Sequence, residues 1–83
     1  MPIRMTYLNG TEAVIEPDDL VCLRRGTWLE IPGPNGPQRW FVVSTDPVQK
    51  KVTLFHDDPT TGHPTTSTHA FHAMDHWRLK EIT

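Results

Sequence analysis

Apolar and polar positions along this chain fall into short runs of strand length, separated by glycine, proline and asparagine. The first run covers residues 3–8. Asn9-Gly10 follows, and then a second run over 11–16. Asn-Gly between two short runs predicts a hairpin with 6–8 paired to 11–13, because both central residues of a type I′ turn take positive φ. Residues 20–24 read as a further strand after the turn-forming Glu16-Pro17-Asp18-Asp19, and Arg25-Gly26 separates them from 27–31. Residues 32–37 contain three prolines and two glycines, which predicts an irregular, stiff loop lacking three backbone donors. Residues 39–45 form the best strand pattern. Trp40 and Val42 lie on one face, Phe41 and Val43 on the other, as in a central strand covered on both sides. The expected core is therefore Trp40, Phe41 and Val43, with Trp28 beside them. Asp46-Pro47 turns the chain into the next strand, residues 50–56.

The C-terminal third admits two readings. Residues 57–66 are polar and predict a flexible loop. Residues 65–83 contain neither glycine nor proline. As strands, 67–72 pair back on 52–56, 73–75 turn, and 77–82 close the structure. As a helix over 69–80, Ala70, Ala73, Met74 and Trp77 share one face. The strand reading is preferred, because the preceding chain is all-β and the pairing covers an otherwise bare edge. The expected fold is one all-β domain over 1–83, a small SH3-like, partly open barrel of five to six strands. The alternative is an α+β domain with a C-terminal helix at 69–80.

Composition supports β structure. The 83 residues include 11 threonines, 6 valines and 4 isoleucines but only 3 alanines. A chain of this length buries roughly 60–65% of its unfolded surface, so a deep substrate chamber does not fit, and neither do several βαβ units of about 30 residues each. The formal charge of -2 argues against a general nucleic-acid coat. The single cysteine, Cys22, excludes an intrachain disulfide. The N-terminus lacks a signal-peptide apolar region. The longest apolar run, residues 40–43, is far short of the about 20 residues of a membrane span. The expected location is cytoplasmic.

Candidate chemistry concentrates in the histidines. His56, His63, His69, His72 and His76 all lie in the C-terminal third, with Asp57, Asp58 and Asp75 among them. Imidazole and carboxylate are the usual ligands of zinc and other first-row divalent metals. On a helix, His69, His72 and His76 fall at i, i+3 and i+7 on one face. On strands this triad is lost. The plain alternative is a set of exposed, independently titrating histidines. No Gly-x-Ser-x-Gly elbow surrounds Ser44 or Ser67. Cys22 sits in the apolar run Leu20-Val21-Cys22-Leu23, where a free cysteine behaves as a small hydrophobe; only Arg24, two residues on, could favour a thiolate. Asp57-Asp58 has nothing to raise a carboxylate pKa. Bases and aromatics interleave at Arg24-Arg25…Trp28, Arg39-Trp40-Phe41 and Trp77-Arg78…Lys80, as in single-strand-binding barrels, yet acids lie close by.

These readings converge on a non-enzymatic interaction or accessory module without a cofactor, binding a protein partner or a second copy of itself. Trp28, Pro34, Asn35, Trp40 and Trp77 are the expected contact residues, as aromatic anchors and a stiff loop. The alternatives are a divalent-metal protein using His69, His72 and His76, and a nucleic-acid-binding barrel.

Overall fold

The computed structural model describes residues 2–33, 36–57 and 61–83. In chain order the elements are β1 (Ile3–Thr6), β2 (Glu12–Ile15), a 3-10 segment η1 (Pro17–Cys22), β3 (Trp28–Gly33), β4 (Gly36–Asp46), β5 (Lys51–Asp57), β6 (Pro64–Ala70), a second 3-10 segment η2 (Phe71–Met74) and β7 (Arg78–Glu81). All seven strands join one sheet in the order β2-β1-β7-β3-β4-β5-β6. β1 and β7 are parallel and the other pairs antiparallel. The fold is all-β as expected, with seven strands in place of five or six, and β2 and β6 remain as edges. Among the described residues no helix is long and apolar enough to cross a membrane.

Side-chain alternation places the core on one face. Ile3, Met5, Leu29, Ile31, Val42, Val52, Leu54 and Leu79 meet there with Leu20, Leu23, Phe71 and Met74, all 8% exposed or less. The two 3-10 segments pack on each other; Leu20 of η1, Leu23 just after it, and Phe71 and Met74 of η2 supply the last four. The sheet is strongly curled around this core. His69 on β6 and Trp77, just before β7, belong to strands four spacings apart, which in a flat sheet would be about 19 Å. Their ring centroids are 5.2 Å apart.

The N-terminal hairpin forms with a different turn. Thr6 pairs with Glu12 and Met5 with Ala13. Gly10 N–H donates to Tyr7 O at 2.9 Å and Tyr7 N–H to Thr11 O at 2.8 Å. Of the two turn residues only Gly10 takes positive φ, 85°. The connection is thus a three-residue loop with a glycine bulge, and the extra residue shifts the register by one from the expected 6–8 to 11–13 pairing.

Residues 20–24 are not a strand. Pro17 presets the first helical φ, and the Asp19 carboxylate accepts the Glu16 N–H at 3.2 Å. This local capping chemistry overrides the short apolar run. Leu20 and Leu23 stay buried, whereas Val21 and Cys22 are exposed.

Residues 32–37 are more regular than their prolines imply. β3 extends to Gly33 and β4 begins at Gly36, with Pro32 opposite Pro37. Two facing prolines need exchange no N–H when they occupy a non-hydrogen-bonded pair of an antiparallel ladder. Pro34 and Asn35 lie outside the described residues.

The expected core is corrected in part. Leu29 pairs with Trp40, and Trp28 with Phe41. Trp40 therefore faces the core with Leu29, while Trp28 and Phe41 share the outer face, ring centroids 5.1 Å apart. Val43 sits at a bulge where the β4–β5 register shifts between Val42 and Ser44. All three are half-buried. Trp40 and Trp77 pack against the core cluster. Only one side of β4 meets the curled interior, so a run apolar on both sides leaves one side on the outer surface.

At the C-terminus the strand reading holds and no helix forms over 69–80. β6 pairs with β5 from Ala70 opposite Lys51 to Pro64 opposite Asp57. η2 then redirects the chain, and His76 takes φ 69° before β7. β7 lies between β1 and β3 and satisfies both their edges, which a helix could not do. The polar stretch is shorter than 57–66: Asp57 ends β5, residues 64–66 open β6, and 58–60 lie outside the described residues.

Candidate functional site

Five half-buried side chains meet on the core face beside β6: Trp40, His56, Ser67, His69 and Trp77. The β4–β5 register sets Trp40 opposite His56, and their rings stack at 3.8 Å with an 18° interplanar angle. Trp77 meets Trp40 edge-on at 6.0 Å and His69 at 5.2 Å. Trp40 Nε1–H donates to Gln38 Oε1 at 3.3 Å.

Hydrogen bonding fixes the imidazoles. His56 Nδ1 lies 3.3 Å from the Asp57 carbonyl oxygen, so this nitrogen carries the proton. His56 Nε2 then accepts from Ser67 Oγ–H at 3.2 Å. Ser67 Oγ in turn accepts from His69 Nε2–H at 2.8 Å. The result is a directed chain from His69 through Ser67 to His56. Partial burial holds the His69 pKa below the usual imidazole value, and the nearby His56 adds to this.

A hydroxyl next to imidazole is the pairing used in nucleophilic catalysis. Here the same oxygen is held from two sides, and the rings are packed against tryptophan. The arrangement is a strut that ties β4, β5, β6 and the start of β7 together across the curl. Sequence reasoning missed it because Ser67 has no motif around it; the alternation of Ser67 and His69 on one strand face was its only signal.

The expected metal triad is not brought together. His69 is in the aromatic cluster. His72 is exposed, with Nε2 3.1 Å from Asp18 Oδ1, and Lys50 Nζ lies 3.3 Å from the same oxygen. The Lys50 hydrogen bond holds the Asp18 carboxyl below its ordinary range. His76 is exposed on the positive-φ link to β7. Among the described residues no group of three or more His, Cys, Asp or Glu could hold a metal ion. The i, i+3, i+7 geometry required a helix, and the chain is a strand, a 3-10 turn and a strand there. The exposed-histidine alternative is also corrected at His69, which is half-buried.

Of the expected contact residues, Trp40 and Trp77 come together and Trp28 lies on the opposite face. Beside Trp28, Phe41 pairs with Phe55, an outward aromatic row. The neighbouring row alternates in sign, with Lys80 opposite Glu30 and Glu30 opposite Arg39, so no positive stripe accompanies the aromatics. Cys22 is exposed, and partial burial, with Asp19 and Glu81, raises its thiol pKa. Arg24 does not share a strand face with it.

The second exposed feature is the edge of β6. Phe71 N–H donates to Lys50 O at 2.8 Å. Ladder alternation then directs the backbone of Thr65, Ser67 and His69 toward β5, and that of Thr66 and Thr68 toward the open edge. Comparison with protein-family models, curated proteins and solved structures finds no match to this chain.

Proposed function

We propose that this protein is a non-enzymatic interaction module, a small open barrel of SH3-like kind, which adds an extended protein strand to β6; the strand it fits best is β6 of a second copy. The carrying observation is that, beyond Pro64 at its start, β6 carries none of the devices that guard sheet edges among the described residues. It contains no Lys, Asp or Glu and no proline after its first residue, and its pairing with β5 runs without a bulge. The other edge, β2, has only four residues and begins with Glu12.

Antiparallel self-pairing centred on Ser67 sets Thr66 of one copy opposite Thr68 of the other. Both residues present their backbone groups to the edge, so the hydrogen bonds match. In this register Thr66 faces Thr68, Ser67 faces its own copy, Thr65 faces His69, and no like charges meet, which favours the pair. The strong curl and short strands support the SH3-like reading, and the lone free cysteine suits a cytoplasmic setting.

Sedimentation of the wild type and of Thr68→Pro tests this. Proline at position 68 removes an edge-facing N–H and leaves the β5 ladder intact. The wild type is expected to dimerise with concentration, and Thr68→Pro and Thr66→Lys to stay monomeric with native circular dichroism. A wild type that remains monomeric at millimolar concentration removes the second copy as occupant.

A further inference from the structure

A groove of about 540 Å³ runs along the outer face of β2, β1, β7 and β3, away from the β6 edge. Its floor is the parallel β1–β7 pair, in which Arg4 lies beside Arg78 and Thr6 beside Lys80. Met5 and Leu79, between them, are buried in the core, so alternation turns Arg4, Thr6, Arg78 and Lys80 outward. Glu12 and Val14 of β2 form one wall, Glu30 and Pro32 of β3 the other.

We propose that this groove binds a phosphate monoester of a small molecule carrying hydroxyl or amino groups. Two guanidinium groups side by side on neighbouring strands repel each other. Among the described residues no carboxylate oxygen lies within 4.0 Å of Arg4, Arg78 or Lys80; the ion pairs Lys50–Asp18 and His72–Asp18 lie elsewhere. A phosphate over the floor relieves this repulsion, and its oxygens match the planar donor fork of arginine. The wall carboxylates of Glu12 and Glu30 repel a ligand that is anionic throughout. They accept hydrogen bonds from hydroxyl or ammonium groups, and Val14 and Pro32 offer apolar contact to the remaining carbon skeleton. Three cations against two carboxylates thus select a ligand with one anionic end. The volume is that of a small-molecule site, typically about 300–1,000 Å³. A polyanion such as nucleic acid fits this lining poorly.

The test is amide chemical-shift mapping by NMR with ribose 5-phosphate, phosphoethanolamine, inorganic phosphate, ribose and a phosphoserine peptide as probes. The two monoesters are expected to shift resonances of β1 and β7 saturably, with inorganic phosphate at least about tenfold weaker and ribose without effect. Arg78→Gln should weaken the monoesters at least about tenfold, and Arg24→Gln, outside the groove, should leave them unchanged. Glu30→Gln provides a second handle, strengthening inorganic phosphate relative to phosphoethanolamine. Absence of saturable shifts at millimolar monoester overturns the site, as does equal binding by Arg78→Gln. Tighter binding of the phosphoserine peptide than of either monoester overturns the small-molecule assignment.

Discussion

Ser67 Oγ lies 2.8 Å from His69 Nε2 and 3.2 Å from His56 Nε2, so a single hydroxyl joins two imidazoles across the β5–β6 pair. Protonating both rings makes both Nε2 atoms donors to one oxygen and places two cations against it. The His69 pKa is lowered first by burial and then by His56. The folded state therefore binds fewer protons than the unfolded state between that lowered value and the ordinary 6.5. This contribution to stability is present above the ordinary value and is lost as pH falls below it. Denaturant midpoints should drop between about pH 7.5 and pH 5.5, and His69→Gln should flatten that dependence. An identical slope in the variant would show that His69 plays no part.

Leu54 is fully buried on the core face, and Phe41 is half-buried on the outer face. Leu54→Ala is expected to cost about 2–5 kcal/mol. Phe41→Ala should cost less than Leu54→Ala, because the outer face leaves part of its ring in solvent and its removal leaves no closed cavity. Chemical denaturation of the two variants checks the order; a larger loss for Phe41→Ala would put the outer row in a packed interior.

Gly10 holds φ 85° at the end of the β1–β2 loop, with open space around the position of a Cβ. The strain on a substitution there comes from the backbone alone. Gly10→Val should destabilise by about 1 kcal/mol or more, and Gly10→Asn by less, since asparagine tolerates that region. Equal midpoints for the two variants would refute the left-handed assignment.

Zinc at stoichiometric concentration should leave the melting temperature unchanged at about pH 7.5, where imidazole is free to ligate. His69 is engaged by Ser67 and Trp77, and His72 by Asp18. A stoichiometric rise that disappears at about pH 5.5 would restore the histidine metal reading.

The strand content and the β1–β2 hairpin were legible in the sequence from local signals, and the return of β6 along β5 from the edge that β5 would otherwise leave bare. Threonine and valine favour the pleated surface, and glycine or aspartate marks the turns. The same local chemistry misled at residues 20–24. There the apolar run predicts a strand, whereas Pro17 and the Asp19 carboxylate on Glu16 N–H start a 3-10 segment.

What the chain's own pattern settled, then, is which residues can be strand. Which face of β4 is inside depended on partners far away in sequence. Trp40 and Phe41 are equally apolar neighbours, and only the pairing of Trp40 with Leu29 and the curl of the sheet send one inward and leave the other outside. The strut of Trp40, His56, Ser67, His69 and Trp77 has the same origin. Its members come from four separate stretches of chain, and the curl that brings His69 to 5.2 Å from Trp77 is a property of the whole sheet. The Arg4–Arg78 floor likewise exists only because β7 inserts parallel to β1. Period-2 alternation constrains each strand singly, whereas register, hand and closure follow from how all seven strands share one small core.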